Sequence, residues 1–154
     1  MNKQKRFSVL TLFLMLAAMA SVRAQSVQSD DIVGKWLSFK DDRHRGTIEI
    51  YKTEKGLYEG KIIWGENAGR KDSLNPDPTL RTKPVVGLVI LRNFKYEGEN
   101  DWSGGRIYDP DNGKEYKSYM ELEDDGKDKN TLRLRGYIGF SFIGRTAIWK
   151  RAKE

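Results

Sequence analysis

Cysteine is absent from all 154 residues, and histidine occurs once. The first absence removes disulfides, thiol nucleophiles, thiolate metal sites and a lipid-modified N-terminal Cys. The second removes the imidazole clusters of zinc centres and the pairing that a catalytic triad needs. The lone His44 stands between Arg43 and Arg45 in D-D-R-H-R. Its neighbours repel a cation, so it reads as a solvated turn residue. Amphipathic helices are also missing, since no long segment repeats its apolar residues with a 3.6-residue period. Proline is scarce, at four residues, and three of these fall in one stretch, 65–84. Repeats, low-complexity tracts and interdomain linkers are not seen.

Only one long uncharged apolar run occurs, at 7–20, behind Lys3, Lys5 and Arg6 and ahead of Val22-Arg23-Ala24. That pattern is a secretory signal peptide, 1–24, with cleavage expected after Ala24. The run is shorter than the ~20 apolar residues of a spanning helix, so no integral membrane span is expected after cleavage. Export to the periplasm or beyond follows. The leader also changes the charge argument. The chain carries 28 Lys+Arg against 22 Asp+Glu, a formal +6. Four of the positives (Lys3, Lys5, Arg6, Arg23) lie in the leader, which holds no acid, leaving 24 against 22, a formal +2. Nucleic acid is therefore not an expected partner.

What remains, 25–154, suits a single domain with one packed core. The segment 102–116, W-S-G-G-R-I-Y-D-P-D-N-G-K-E-Y, reads as a hairpin. Pro110 pre-sets the first corner of its turn, Asp109 bonds back onto the turn backbone, and Asn112-Gly113 tolerate positive φ. Gly104-Gly105 marks a bulge or a close passage of another segment. Residues 47–52 and 57–64 make a second hairpin, the first strand alternating strictly, and 131–137 alternates as cleanly. With 33–39, 145–151 and 85–94, the last either a central strand or a strand that begins inside a short helical turn, the count reaches about eight strands. The expected fold is all-β: a single antiparallel up-and-down barrel preceded by the signal peptide, with a two-sheet sandwich as the alternative. Residues 40–46 are expected as a charged turn, and 65–84 as a long loop of the kind that often carries function.

Two resemblances attach to these segments. Gly34-x-Trp36 opening the first strand, with an arginine in the last, resembles the lipocalin and calycin arrangement. There a Trp near the first strand closes one barrel end and a late Arg packs across it; Arg145 or Arg151 would fill that role. More closely, G-K-W, K-D-S-L-N-P-D-P-T-L-R, V-G-L, W-S-G-G-R-I-Y-D-P-D-N-G-K-E-Y, L-R-G-Y-I-G and G-R-T-A-I-W-K-R occur in this order. Across the mature chain they resemble the bacterial exported family catalogued as domain of unknown function 2147. That resemblance implies export, one small domain and no assigned catalytic residues.

Carboxylates offer the remaining route to hydrolytic chemistry. Asp72, Asp77, Asp109 and Asp111 all stand beside Pro, Asn or Gly or in loops, where acids usually form turns. Asp72-x-x-Asn75-x-Asp77 supplies three oxygens but lacks the Gly and distal Glu of a calcium loop, and Arg70 and Lys71 oppose a cation. The reading is therefore non-catalytic, with no metal and no cofactor. A small apolar or amphipathic ligand in or at the mouth of the barrel is the expected partner. The candidate contacts are Lys71, Asp72 and Asn75 on the long loop, Trp102 and Tyr108 as lining, and Arg145. The alternative is a cell-envelope interaction module with a filled core. In that case Phe140, Phe142 and Ile143 in G-F-S-F-I-G would either present an apolar tip or fold inward as a plug.

Overall fold

A computed structural model describes residues 26–153. The signal segment 1–24 and its cleavage after Ala24 lie outside the described residues. Eight strands follow a short 3-10 turn, Ser29–Ile32. They are β1 (Gly34–Lys40), β2 (Arg43–Lys52), β3 (Tyr58–Gly65), β4 (Val89–Gly98), β5 (Asp101–Asp109), β6 (Lys114–Glu123), β7 (Asp128–Tyr137) and β8 (Gly144–Arg151). Each pairs antiparallel with the next, and β8 returns to β1 to close a barrel. Closure leaves no long exposed sheet edge, which is why the chain needs no helix to cover one.

The period-two signal maps directly onto the wall. Gly46, Ile48 and Ile50 of β2 turn inward while Thr47, Glu49 and Tyr51 remain half-buried outside. Ser118, Met120 and Leu122 of β6 do the same beside Tyr119 and Glu121, as side chains on a pleated strand must. The Gly104-Gly105 bulge is present: pairing of β5 with β6 shifts between Trp102 and Gly105, and Gly104 has φ +73°. A Cβ on Gly105 would run into the Phe94 ring, so only glycine lets β5 pass that aromatic.

Several local features differ from the expectations. The turn after β1 is only Asp41–Asp42, both at positive φ (50° and 60°), the conformation a two-residue hairpin requires. His44 is consequently a strand residue of β2 rather than a turn residue. It stacks on Trp64 with ring centres 4.5 Å apart. β4 begins at Val89, because the amides of Val85 and Gly87 bond instead to Arg70 O and Ile62 O. In the 109–113 turn only Gly113 takes positive φ, with its amide donating to Asp109 O at 2.8 Å; Asn112 does not.

The two barrel ends are unlike. At the end where β1 begins and β8 finishes, the 3-10 turn folds across the opening. Trp36 Nε1 donates to Ile32 O at 2.8 Å and Trp102 Nε1 to Ser29 O at 2.9 Å. Arg151 lies over the Trp36 ring and donates to Val33 O, Asp31 O and Lys129 O. Arg151, not Arg145, therefore holds the position that packs across the first-strand Trp. Ile50, Tyr58, Phe94, Met120, Leu122 and Leu132 fill the space above this plug. Asp30 fastens the turn from outside, accepting from Lys52 Nζ at 2.8 Å and Tyr58 Oη at 2.6 Å. At the other end stand the turns 41–42, 110–113 and 138–143 and the long loop between β3 and β4.

Candidate ligand-binding cavity

That second end is hollow. A cavity of about 770 Å³ opens there, reached by residues of β1 to β8 and of the long loop. Its deep wall is aliphatic: Ile48, Ile62, Ile90, Ile107 and Leu134, with Trp149 beneath. These are ordinary inward positions of their strands: they pack against one another at the base of the core and border the cavity because no plug covers this end as the 3-10 turn covers the other.

The rim is polar. Ser38, Arg45, Glu66, Arg70, Asp111, Tyr137 and Arg145 all face the opening. Two of the cations are spent: Arg45 Nε pairs with Glu66 at 3.1 Å, and Arg70 pairs with Asp111 at 2.5 Å while donating to Pro110 O. Lys40 and Arg145, both rim residues, have no carboxylate partner among the described residues. An apolar depth below a rim holding uncompensated cations suits a molecule with an apolar body and a polar or anionic end.

Beside the rim the wall itself is incompletely zipped. β1 and β8 pair only at Trp36–Arg151, Leu37–Lys150 and Ser38–Trp149. Between Ser38 and Phe39 the β1–β2 register slips, and such a bulge bends the strand. It carries Phe39 and Lys40 out of register with β8, so residues 144–148 pair with β7 alone.

Of the six residues expected at a ligand site, the structure places only Arg145 on the cavity. Trp102 is fully buried at the plugged end, opposite the mouth. Lys71 is exposed, its backbone bridged to Pro84. Asp72, Asn75 and Tyr108 do meet one another, but behind the wall. Tyr108 Oη donates to Asp72 Oδ1 at 2.7 Å and Asn75 Nδ2 to Asp72 Oδ2 at 2.6 Å. Asp72 is fully buried, and a buried carboxylate must be held by donors. Here a barrel tyrosine and a loop asparagine supply them, so the cluster fastens the long loop to β5. Burial, and next the Asp72 carboxylate, push the Tyr108 hydroxyl up to about 12.

The other loop acids are engaged locally. Asn75 Oδ1 accepts the Asp77 amide at 2.9 Å. Asp77 Oδ1 accepts the amide and hydroxyl of Thr79, which hold its carboxyl below the usual range. Asp109 caps its own turn through Asp111 N and Asn112 Nδ2. The 138–143 loop does not plug the mouth: Phe140 and Phe142 are 69% and 75% exposed, while Ile138 and Ile143 reach the rim. Sequence reasoning missed the aliphatic lining, because an inward isoleucine carries the same signal whether the space before it is filled or empty.

Comparison with known proteins agrees with this architecture. A family described as "Uncharacterized protein conserved in bacteria (DUF2147)" matches residues 34–151. Among solved structures, the Helicobacter pylori protein HP1028, described as belonging to the lipocalin family, superposes with a TM-score of 0.69. It shares 23% identity over 80% of this chain and 84% of its own, a likeness of fold. Comparison with curated proteins gives no match. Among the described residues no helix is long and apolar enough to cross a membrane.

Proposed function

The chain belongs to this bacterial DUF2147 family, and from that premise we propose that it is an exported, non-catalytic carrier of one small apolar or amphipathic molecule. The observation that carries the reading is the hollow mouth, about 770 Å³ in volume with an aliphatic depth and a charged rim. Pockets that enclose a small molecule run from about 300 to 1,000 Å³, mostly apolar with a few placed polar groups. The apolar part of the ligand would lie against Ile48, Ile62, Ile90 and Leu134, and Arg145 with Lys40 would meet its polar end. Export, through the 1–24 leader, would place it where such molecules pass between compartments. The lipocalin-like neighbour supports a barrel suited to this task.

Native mass spectrometry of the chain recovered from its export route tests the reading, before and after delipidation. Trp149 lines the cavity and reports on occupancy through its fluorescence. The expected result is an added mass that delipidation removes, with a shift in Trp emission that returning the extracted species reverses. Leu134→Trp, which fills the cavity from β7, should abolish the adduct while the barrel remains folded. A bare mass, together with unchanged emission on adding fatty acids, sterols and isoprenoid alcohols, would end the proposal.

A further inference from the structure

Exposed apolar side chains are not spread evenly over this barrel. Of the ten large hydrophobic residues that stand exposed among the described residues, eight belong to the mouth end: Phe39, Trp64, Leu74 and Leu80, and then the group of four on the 138–143 loop. That group, Ile138, Phe140, Phe142 and Ile143, is 60–75% exposed. The two phenylalanine rings stack on each other with centres 5.6 Å apart. Beside them lies a cavity into which they could have turned, yet they face solvent.

Their presentation is built rather than left loose. Ile143 N donates to Phe140 O at 3.0 Å, closing the turn. Arg135 reaches up from β7 and places Nε on Ser141 O at 2.6 Å and Nη2 on Phe142 O at 3.1 Å. Its Nη1 takes Thr146 Oγ1 at 2.9 Å. This guanidinium is satisfied by neutral oxygens, so it holds the loop in shape and keeps its positive charge uncompensated directly behind the rings. Arg145 stands at the other foot of the loop, also without a carboxylate partner among the described residues. The sequence around them is one-sided: residues 129–153 contain seven Lys or Arg and no Asp or Glu. An apolar tip backed by unpaired cations is complementary to a surface that is apolar within and anionic at its boundary.

We propose that the β7–β8 loop is a membrane-docking tip, which inserts Phe140 and Phe142 into the interface of an anionic bilayer and sets Arg135 and Arg145 at the level of its phosphates. The tip is a single short loop whose two rings stand exposed, which fits the roughly 5–10 Å depth of an interfacial insertion better than a protein groove. Docking in this pose turns the cavity mouth toward the lipid. The proposal does not rest on the carrier reading, since the tip would dock even if the cavity stayed empty.

Co-sedimentation of the exported chain with vesicles is the test. One set of vesicles is phosphatidylcholine alone, and the other carries phosphatidylglycerol as well. The wild type should sediment with the anionic vesicles, several-fold less with the zwitterionic ones, and less as salt rises. Phe140→Ser with Phe142→Ser should lower anionic-vesicle binding at least about tenfold, with an unchanged melting temperature because both side chains are already exposed. Arg145→Glu should lower it several-fold, and Arg145→Lys should retain it. Wild type that stays in the supernatant with both vesicles overturns the proposal, and so does a serine double variant that sediments equally. A wild type that is dimeric in solution and made monomeric by the serine pair would assign the tip to a second copy and likewise overturn it.

Discussion

The Arg151 guanidinium lies 4.2 Å from the centre of the Trp36 ring, joining the last strand of the barrel to the first. The same group donates to three backbone carbonyls, of Asp31, Val33 and Lys129. Burial pushes its pKa down from the usual arginine value, yet an arginine remains charged in a protein. It is a cation caught between an aromatic face and the carbonyls of the plug, at the point where β1 and β8 are zipped.

Replacing it should therefore loosen the plugged end as a whole. Arg151→Ala leaves three carbonyls short of a donor and removes the contact with Trp36; a loss of about 3 kcal/mol is expected. Arg151→Lys keeps charge but not the planar fork, and should recover less than half of that loss. Urea unfolding followed by Trp fluorescence measures both.

Register explains why Arg151 and Arg145 were equal candidates for this role in the sequence. They are an even number of residues apart on one strand, so periodicity puts both on the same face. Only pairing separates them: Arg151 sits opposite Trp36, and Arg145 opposite Gly136 at the mouth. The same limit governs the rest. Alternation at 47–52 and 131–137 and the glycine pair at 104–105 were legible because each depends on its own strand. Val85 to Leu88 stayed open between strand and turn because an apolar run says nothing of its partner; the structure takes the turn. The candidate site was legible only at Arg145. The polar residues of the long loop attracted attention, but Asp72 and Asn75 are consumed in fastening it, and the lining is made of plain isoleucines.

Tyr108 should give the barrel an alkaline limit. Its hydroxyl is raised from 10.0 to about 12 in the folded protein. A raised pKa means the protonated form is favoured by folding. That stabilisation is complete below pH 10 and is lost as pH climbs toward 12. Tyr108→Phe should cost about 1–3 kcal/mol at neutral pH by leaving Asp72 short of a donor. Its stability relative to wild type should then improve above pH 10, as thermal melts across that window would show.

Asp30 sets an opposite and smaller dependence. Hydrogen bonds from Lys52 and then Tyr58 lower its pKa from 3.8 to about 2. A lowered pKa stabilises the fold above 3.8 and ceases to do so as pH falls toward 2. The side chain is 60% exposed, so water screens the pair and its worth is below about 1 kcal/mol. Asp30→Asn should be slightly less stable than wild type at pH 7, with the gap closing near pH 2 in the same melts.

Gly105 predicts a steric coupling across the core. Gly105→Ala drives a methyl group into the Phe94 ring, an overpacking expected to cost about 1–3 kcal/mol. Combined with Phe94→Leu, the alanine should cost measurably less than it does alone. A double-mutant cycle in urea gives the coupling energy, and strict additivity would contradict the contact.

The short β1–β8 seam predicts a gradient of amide protection along β8. Residues 149 and 150 are paired on both sides, whereas 144–148 pair with β7 alone. Hydrogen exchange of the free protein should therefore be faster in 144–148 than at Trp149 and Lys150, and slowed in the former when the mouth is occupied.

The contrast between a plugged end and a hollow one has an evolutionary side. The 3-10 turn, Trp36, Trp102 and Arg151 interlock at one end, so substitutions at the mouth leave that closure intact. On the proposed function, descendants of one such gene would diverge in Ile48, Ile62, Ile90 or Leu134, and in what they accommodate, while the interlocked end keeps the barrel foldable.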